Sequence, residues 1–392
     1  MENKSITPGC SWKWEFLLFN AKSGWATMCC DHDGARADVN QLSKDISILI
    51  NSPTMLADRR AMIAGESLPH CQGCYRHITE NPDIGGTLYE NYNTDPISGK
   101  IKSLAIMLNT TCLYTCIYCT EHFSSSWYSD IEKNGPYQLH NQNAHTLSTL
   151  DKVQNRISIV DVKQSRYYDA LRELLKSDIS DELSTLRIGG GEPLLYENLK
   201  EFIYNTQTLR PNLSIEIYTG LGVSDNIFEQ FLKDTADIKS KLTIVLSQEG
   251  IGQQAELMRY GTNWDKWEPM ANRLIESGYH VEFNSVLNII SLFTMQDFLI
   301  WKNNSLFKNC TLRIQPLKGP AYMSLQPMDE TLHKELLYKL LNNNVNFTAS
   351  DYIPEYKNFE KENLRAYLTE FSRRRNLDIN VLPKDFLAFL NG

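Results

Sequence analysis

The stretch that decides the fold runs from Leu104 to Phe123, LAIMLNTTCLYTCIYCTEHF. Its first half is an apolar run of strand type. Cys112, Cys116 and Cys119 follow at once, with three and then two residues between them. Three thiols on one loop at a strand terminus suit an iron–sulfur cluster, because iron in such clusters is usually held by cysteine. With three protein ligands, one iron keeps an open position for a substrate or cofactor group. Zinc is the competing occupant, but it usually takes four ligands, often as paired C-x-x-C units, and this loop supplies one such pair and a third Cys at an unusual offset. Buried thiols that served only as small hydrophobes would have no need to cluster at a strand end.

Outward from this loop, β-rich runs alternate with amphipathic ones. The pattern predicts strands over 102–109, 184–189, 213–219, 242–247, 280–287 and 310–316, with helices over 167–176, 197–208, 226–233, 264–277 and 294–302. Strand followed by helix, repeated about six times, implies an α/β fold of parallel strands with helical crossovers. An open doubly wound sheet and a partial barrel both satisfy it. Residues 121–165 read as an inserted loop with a helix, and beyond Pro327 the pattern is helical, ending in an amphipathic segment at 384–390. Three segments are expected: a Cys-rich module over 1–100, the strand–helix region over 101–320 and a helical C-terminal extension over 321–392.

The composition agrees with a globular protein. The chain has 392 residues, 42% hydrophobic and 22% charged, enough for a sizeable core and two or three domains. A net charge of −8 without a long basic run argues against nucleic-acid or anionic-membrane binding through bulk charge. No segment approaches the ~20 apolar residues that span a bilayer, and the N-terminus lacks a secretory pattern, so a cytoplasmic location is expected. There are nine cysteines. An odd count in such a chain points to metal or redox chemistry rather than a disulfide framework.

The next strand end carries LRIGGGEPLL, with Gly190, Gly191 and Glu192 ahead of Pro193. Glycines let the backbone approach a ligand closely, and proline suits the first turn of a helix. Later strand ends place Tyr218 and Thr219, then Ser247 and Glu249, and the run EGIGQQAELMRYGTNWDKW carries Arg259. VEFNSVLN carries Asn284, and Cys310 opens the last predicted strand.

The spacing C-x-x-x-C-x-aromatic-C after the first strand resembles the signature of the radical S-adenosylmethionine (radical SAM) superfamily. The resemblance spans roughly 101–320 and implies a partial (β/α)6 barrel. It implies a [4Fe–4S] cluster on Cys112, Cys116 and Cys119 whose open iron chelates the amino and carboxylate groups of S-adenosyl-L-methionine, with Tyr118 against the adenine. Gly190, Gly191 and Glu192 resemble the family's GGE motif at the SAM amino group. By the same resemblance Thr219 contacts SAM, Ser247 and Glu249 meet its ribose, Arg259 reaches its carboxylate and Asn284 lies near its adenine. The implied reaction is one-electron reduction of SAM to methionine and a 5′-deoxyadenosyl radical, which takes a hydrogen atom from the substrate. A low-potential donor such as a flavodoxin or ferredoxin would supply the electron.

In the N-terminal segment Cys10 is followed by Gly24, Cys29 and the pair Cys71 and Cys74. Four thiols complete a zinc site or a [4Fe–4S] cluster equally well. The pattern, with CSWKWEFLLFNAKSGWATMCC and CQGCYR, resembles the auxiliary-cluster modules called twitch and SPASM, found in radical SAM enzymes that modify peptides, aminoglycosides or other small metabolites. There the module usually follows the barrel; here it precedes it. The resemblance implies an auxiliary [4Fe–4S] cluster on Cys10, Cys29, Cys71 and Cys74, with Cys30 competing with Cys29. His32, Asp31 and Asp33 read as a solvated turn. The expected activity is oxidation, cross-linking or epimerisation of a peptide, with dehydrogenation of a sugar or other small metabolite as the alternative. Cys310 would be a hydrogen-atom donor in an epimerase, or a small core residue. A non-catalytic metal-binding scaffold is the reading from another class, against which the retained cysteines and the Gly190, Gly191, Glu192 motif argue.

Overall fold

Short runs of β-branched and aliphatic residues, bounded by polar turns, form thirteen strands among the described residues of the computed structural model. It describes residues 10–20, 25–29, 36–38, 50–66, 68–71, 95–97, 99–147, 166–341, 357 and 359–392. In chain order the strands are β1 (Phe16–Asn20), β2 (Trp25–Thr27), β3 (Arg36–Asp38), β4 (Ser103–Met107), β5 (Thr115–Cys116), β6 (Tyr137–Gln138), β7 (Asn143–Ala144), β8 (Thr185–Gly189), β9 (Ser214–Thr219), β10 (Leu242–Ser247), β11 (Arg259–Tyr260), β12 (His280–Leu287) and β13 (Leu312–Pro316). The run β4, β8, β9, β10, β12, β13 is the expected strand series, each member neighbouring the next. The helices fall between these strands, over Arg166–Lys176, Leu199–Leu209, Asp225–Asp234, Trp264–Glu276 and Ser291–Asn303. The C-terminal region is helical, over Glu330–Leu341, Glu360–Arg375 and Lys384–Asn391.

The chain forms two compact units, and β9 is divided between them. The first comprises Met1–Asn109, Arg156–Gly190 and Asn198–Glu216. Here β4 and β8 alternate buried and half-buried residues, the period-2 pattern of strands with one face on a core. That face carries Leu104, Ile106, Leu186 and Ile188, each at most 1% exposed. β4 is parallel to β8 on one side and to β1 on the other, in the register Phe16↔Ser103 to Asn20↔Met107. β2 and β3 extend the sheet antiparallel from β1.

The second unit comprises Thr110–Asn155, Gly191–Glu197 and Ile217–Gly392. β10, β12 and β13 are parallel, and Phe283 packs edge-on against Phe298 and Phe307 on their helix-covered side. On the other side Arg313 of β13 donates to the Tyr218 hydroxyl of β9 at 2.9 Å, although β12 and β10 lie between those strands. Flat strands ~4.8 Å apart would hold these residues some 14 Å away from each other. This part of the sheet therefore curls, with Tyr218 and Arg313 on its concave face.

Candidate functional site

The Cys112–Cys119 loop is built by its own backbone and by a ring of side chains around its carbonyls, all in the second unit. β5 pairs antiparallel with β11, setting Cys116 opposite Arg259, and the Ile117 amide donates to Met258 O at 2.8 Å. Ser126 Oγ donates to Cys112 O at 2.7 Å, Ser124 Oγ to Tyr114 O at 2.7 Å, Trp127 Nε1 to Cys116 O at 3.0 Å and Tyr367 OH to Ile117 O at 2.6 Å. Ser124 also caps the helix Ser125–Asn134 through the Trp127 amide. The segment SSSW, read from sequence as part of an inserted loop, is thus a clamp on the cysteine loop.

Cys116 is buried, and Cys112 and Cys119 are half-buried. Burial pushes the Cys116 thiol up to about 11, against the pull of the Arg259 charge. Burial and the neighbouring Cys116 push Cys112 up to about 12, and burial together with both other thiols raises Cys119 further. Three neighbouring thiols that resist ionisation lose that resistance once a metal supplies the missing positive charge. Among the described residues no three Cys, His, Asp or Glu side chains close around a single ion.

Arg259 is 6% exposed and holds Glu249 through Nη2 at 2.9 Å and Nε at 3.1 Å. Its Nη1 lies 3.7 Å from Cys116 Sγ, and its guanidinium stands 5.6 Å from the centre of the Tyr118 ring. Cys116, Tyr118, Glu249 and Arg259, singled out separately in sequence, form one buried array.

Glu192 is the centre of a second array. Its amide donates to Thr111 O at 2.7 Å. Its carboxylate accepts from Thr219 Oγ1 at 2.6 Å and from the amides of Gly220, Gly222 and Leu194 at 3.0, 3.3 and 3.1 Å. Burial raises its pKa despite these donors. Gly191, at φ +57°, brings the chain so close to Thr111 that a Cβ would run into the Thr111 carbonyl. In the first unit Gly190, at φ +82°, would place a Cβ 2.9 Å from Met107 Cβ.

Ser247 and Asn284 are register partners on β10 and β12, and the buried Asn284 Oδ1 has no hydrogen-bond partner among the described residues. An orphaned buried acceptor beside Ser247, the last residue of β10, is a place for a donor from a ligand. Tyr114 carries no weight in sequence, yet its ring fills the space left by Gly220, Gly222 and Gly261, whose Cβ atoms would lie 3.0, 3.0 and 2.7 Å from it. The glycines in YTGLG and RYG were the available signal.

Cys310 is placed elsewhere. It lies two residues ahead of β13, whereas Ser247 ends the parallel strand β10 and Glu249 follows it. Five residues of β13 at ~3.3 Å each separate the two ends by roughly 17 Å. Cys310 sits instead beside Lys302 and Glu282, its thiol raised by burial. The residue lies at the strand end opposite Ser247 because it precedes its strand rather than following it.

In the first unit, Cys71 joins a core of Trp14, Met62 and Leu68, and Cys10 packs against it. The Lys13 ammonium is held by Asp58 at 2.6 Å, and, against the pull of burial, Asp58, Cys29 and Cys71 all raise its pKa. Cys30, Cys74, Asp31, His32 and Asp33 lie outside the described residues.

No family model matches the chain, and no curated protein matches it. Among solved structures it is similar to histidine-tagged anSMEcpe with bound AdoMet at 18% identity and a TM-score of 0.42, covering 63% of each chain. It is also similar to Streptococcus suis SuiB bound to S-adenosylmethionine, at 14% identity and a TM-score of 0.41, over 90% of this chain and 77% of that one. A third is methylornithine synthase (PylB), at 12% identity and a TM-score of 0.36, over 79% and 77%. The chain thus spans less than two thirds of the first of these. At such scores the residues of the site have to carry the functional argument themselves.

Proposed function

We propose that the protein is a radical SAM enzyme in which Cys112, Cys116 and Cys119 hold a [4Fe–4S] cluster. The carrying observation is the trio of neighbouring thiols on a loop whose carbonyls at Cys112, Tyr114, Cys116 and Ile117 are tied down by side chains, beside the buried Arg259–Glu249 pair. When bound, the cluster and SAM would supply a reducing electron and a 5′-deoxyadenosyl radical for hydrogen abstraction. The protein's part is placement. Ser124, Ser126, Trp127 and Tyr367 hold the loop rigid, and Glu192 fixes the turn at Thr219–Gly222 so that backbone groups face the cofactor. Arg259 and Glu249 present a charge pair to a zwitterionic ligand, Tyr118 offers an aromatic face, Asn284 offers a free acceptor, and Ser247 adds a hydroxyl beside it.

Cys10, Cys29, Cys71 and Cys74 are proposed to hold an auxiliary [4Fe–4S] cluster that carries electrons, since four cysteine ligands leave no vacant iron. The substrate proposed is a peptide undergoing oxidation or cross-linking. Its support is the twitch- and SPASM-like cysteine set, together with a polar concave face bearing Tyr218, Asn284 and Arg313. The electron donor proposed is a flavodoxin or ferredoxin, and the place of action the cytoplasm. Among the described residues no helix is long and apolar enough to cross a membrane.

The test is the iron, sulfide and zinc content of anaerobically reconstituted protein, with SAM cleavage to 5′-deoxyadenosine followed under a low-potential reductant. About eight irons, falling to about four with loss of cleavage in the Cys112/Cys116/Cys119→Ala variant, are expected. Iron content unchanged by that variant overturns the assignment of the loop.

A further inference from the structure

Arg313 reaches further across the sheet than a strand residue needs to. Its neighbours on β13, Leu312 and Ile314, are buried, so the period-2 alternation turns Arg313 and the exposed Gln315 to the concave face. There Ser247, Asn284 and Arg313 occupy one row across β10, β12 and β13. Arg313 Nη2 forms an ion pair with Glu282 of β12, the two side chains being 30% and 12% exposed. Its Nη1 donates to the Tyr218 hydroxyl at 2.9 Å. An ion pair between adjacent strands asks nothing of β9. Held at both terminal nitrogens, the planar guanidinium is fixed in orientation while a third of it stays open on a concave polar surface, which is how arginine is set to meet a carboxylate. Glu282 already supplies one carboxylate, and it has a second partner, since its Oε1 lies 3.2 Å from His280 Nε2. An incoming carboxylate can therefore take over Nη2 without leaving Glu282 bare.

We propose that Arg313 binds a carboxylate of the peptide substrate, oriented by Tyr218 and occupied by Glu282 until the substrate arrives. This rests on the peptide-substrate reading above and deepens it. Arg313 stands in register beside Asn284, one of the residues proposed for the cofactor, so a carboxylate held there anchors a peptide next to the cofactor's place. Glu282 competes with the substrate for the same guanidinium. Removing its charge must then strengthen binding, whereas a purely structural ion pair would yield only lost stability from that change. A peptide carries a carboxylate at its C-terminus or on an Asp or Glu side chain, and the probes below separate these two sources.

The experiment uses the full chain, anaerobically reconstituted and with SAM added. The probes are acetylated trialanine with a free C-terminus, the same peptide as its C-terminal amide, and an acetylated Ala-Asp-Ala amide, titrated by ligand-observed saturation-transfer NMR. One or both of the acid probes are expected to bind and the neutral amide is not. Arg313→Gln should weaken acid binding by about tenfold or more, Arg313→Lys by less, and Glu282→Gln should tighten it severalfold. Binding of neither acid probe, equal binding of acid and neutral probes, unchanged affinity in Arg313→Gln or weaker affinity in Glu282→Gln would each overturn the assignment. If Arg313→Gln does not fold, unaltered affinity in both Arg313→Lys and Glu282→Gln overturns it equally. Cleavage of SAM to 5′-deoxyadenosine, followed in the same samples, keeps the two readings apart. Cleavage without acid binding removes this inference and leaves the radical SAM assignment, while Arg313-dependent acid binding in a protein that cleaves no SAM upholds the site and brings down the activity proposed around it.

Discussion

At the scale of the residue, the glycines at the end of β8 are not equivalent, and the difference is measurable. Gly191 lies at φ +57° with the Thr111 carbonyl where a side chain would begin, whereas Gly189 has open space at its Cβ position. A left-handed conformation costs a non-glycine residue of order 1–3 kcal/mol before any clash is counted. Gly191→Ala is therefore expected to lose at least about 2 kcal/mol of stability, while Gly189→Ala stays within about 0.5 kcal/mol of the parent. Thermal melting of the two variants side by side decides it, and equal melting temperatures would remove the steric argument. The motif containing these glycines was legible because Gly and Pro punctuate a chain visibly. The partners of Glu192 were not, because Thr219, Gly220 and Gly222 reach it only through folding.

At the scale of the element, the helix Glu360–Arg375 shows where legibility stops. Its helical nature was readable beyond Pro327, but its task was not, since Tyr367 bonds to Ile117 across 250 positions of sequence. Along the same helix Arg375 Nε donates to Thr115 Oγ1 at 2.9 Å, so two points of the cysteine loop rest on it. Tyr367→Phe leaves the buried Ile117 carbonyl without its donor, at a cost of about 1–3 kcal/mol. The variant is expected to melt lower and to lose iron from the Cys112–Cys119 loop faster when challenged with a chelator. Tyr338→Phe is the control, because Tyr338 is 66% exposed. Identical iron-loss rates in the two variants would show that the helix does not support the loop.

At the scale of the molecule, the six-strand series was legible because each strand is a short apolar run bounded by turn formers and followed by a helical period. β1, the peptide FLLFN, escaped notice for a physical reason. It is buried at all five positions, so it lacks the alternation that marks a strand with one wet face, and a short wholly apolar run does not declare its secondary structure. It also lies among cysteines, in a region that reads as an irregular module. In the fold it is hydrogen-bonded to β4 over five residues on the side opposite β8. Removing residues 1–100 would thus strip β4 of its neighbour and expose a row of unpaired amides and carbonyls along a hydrophobic edge, a template for pairing with other chains. The Leu104 and Ile106 side chains would lose the cover that Leu17 and Phe19 help to give, at most 1% exposed as those two are. The 101–392 fragment is accordingly expected to aggregate, eluting from size exclusion as large species and melting below the full chain. A monomeric fragment that melts at the full-length temperature would show that the N-terminal segment is a separable module and that β1 contributes little to the sheet it joins.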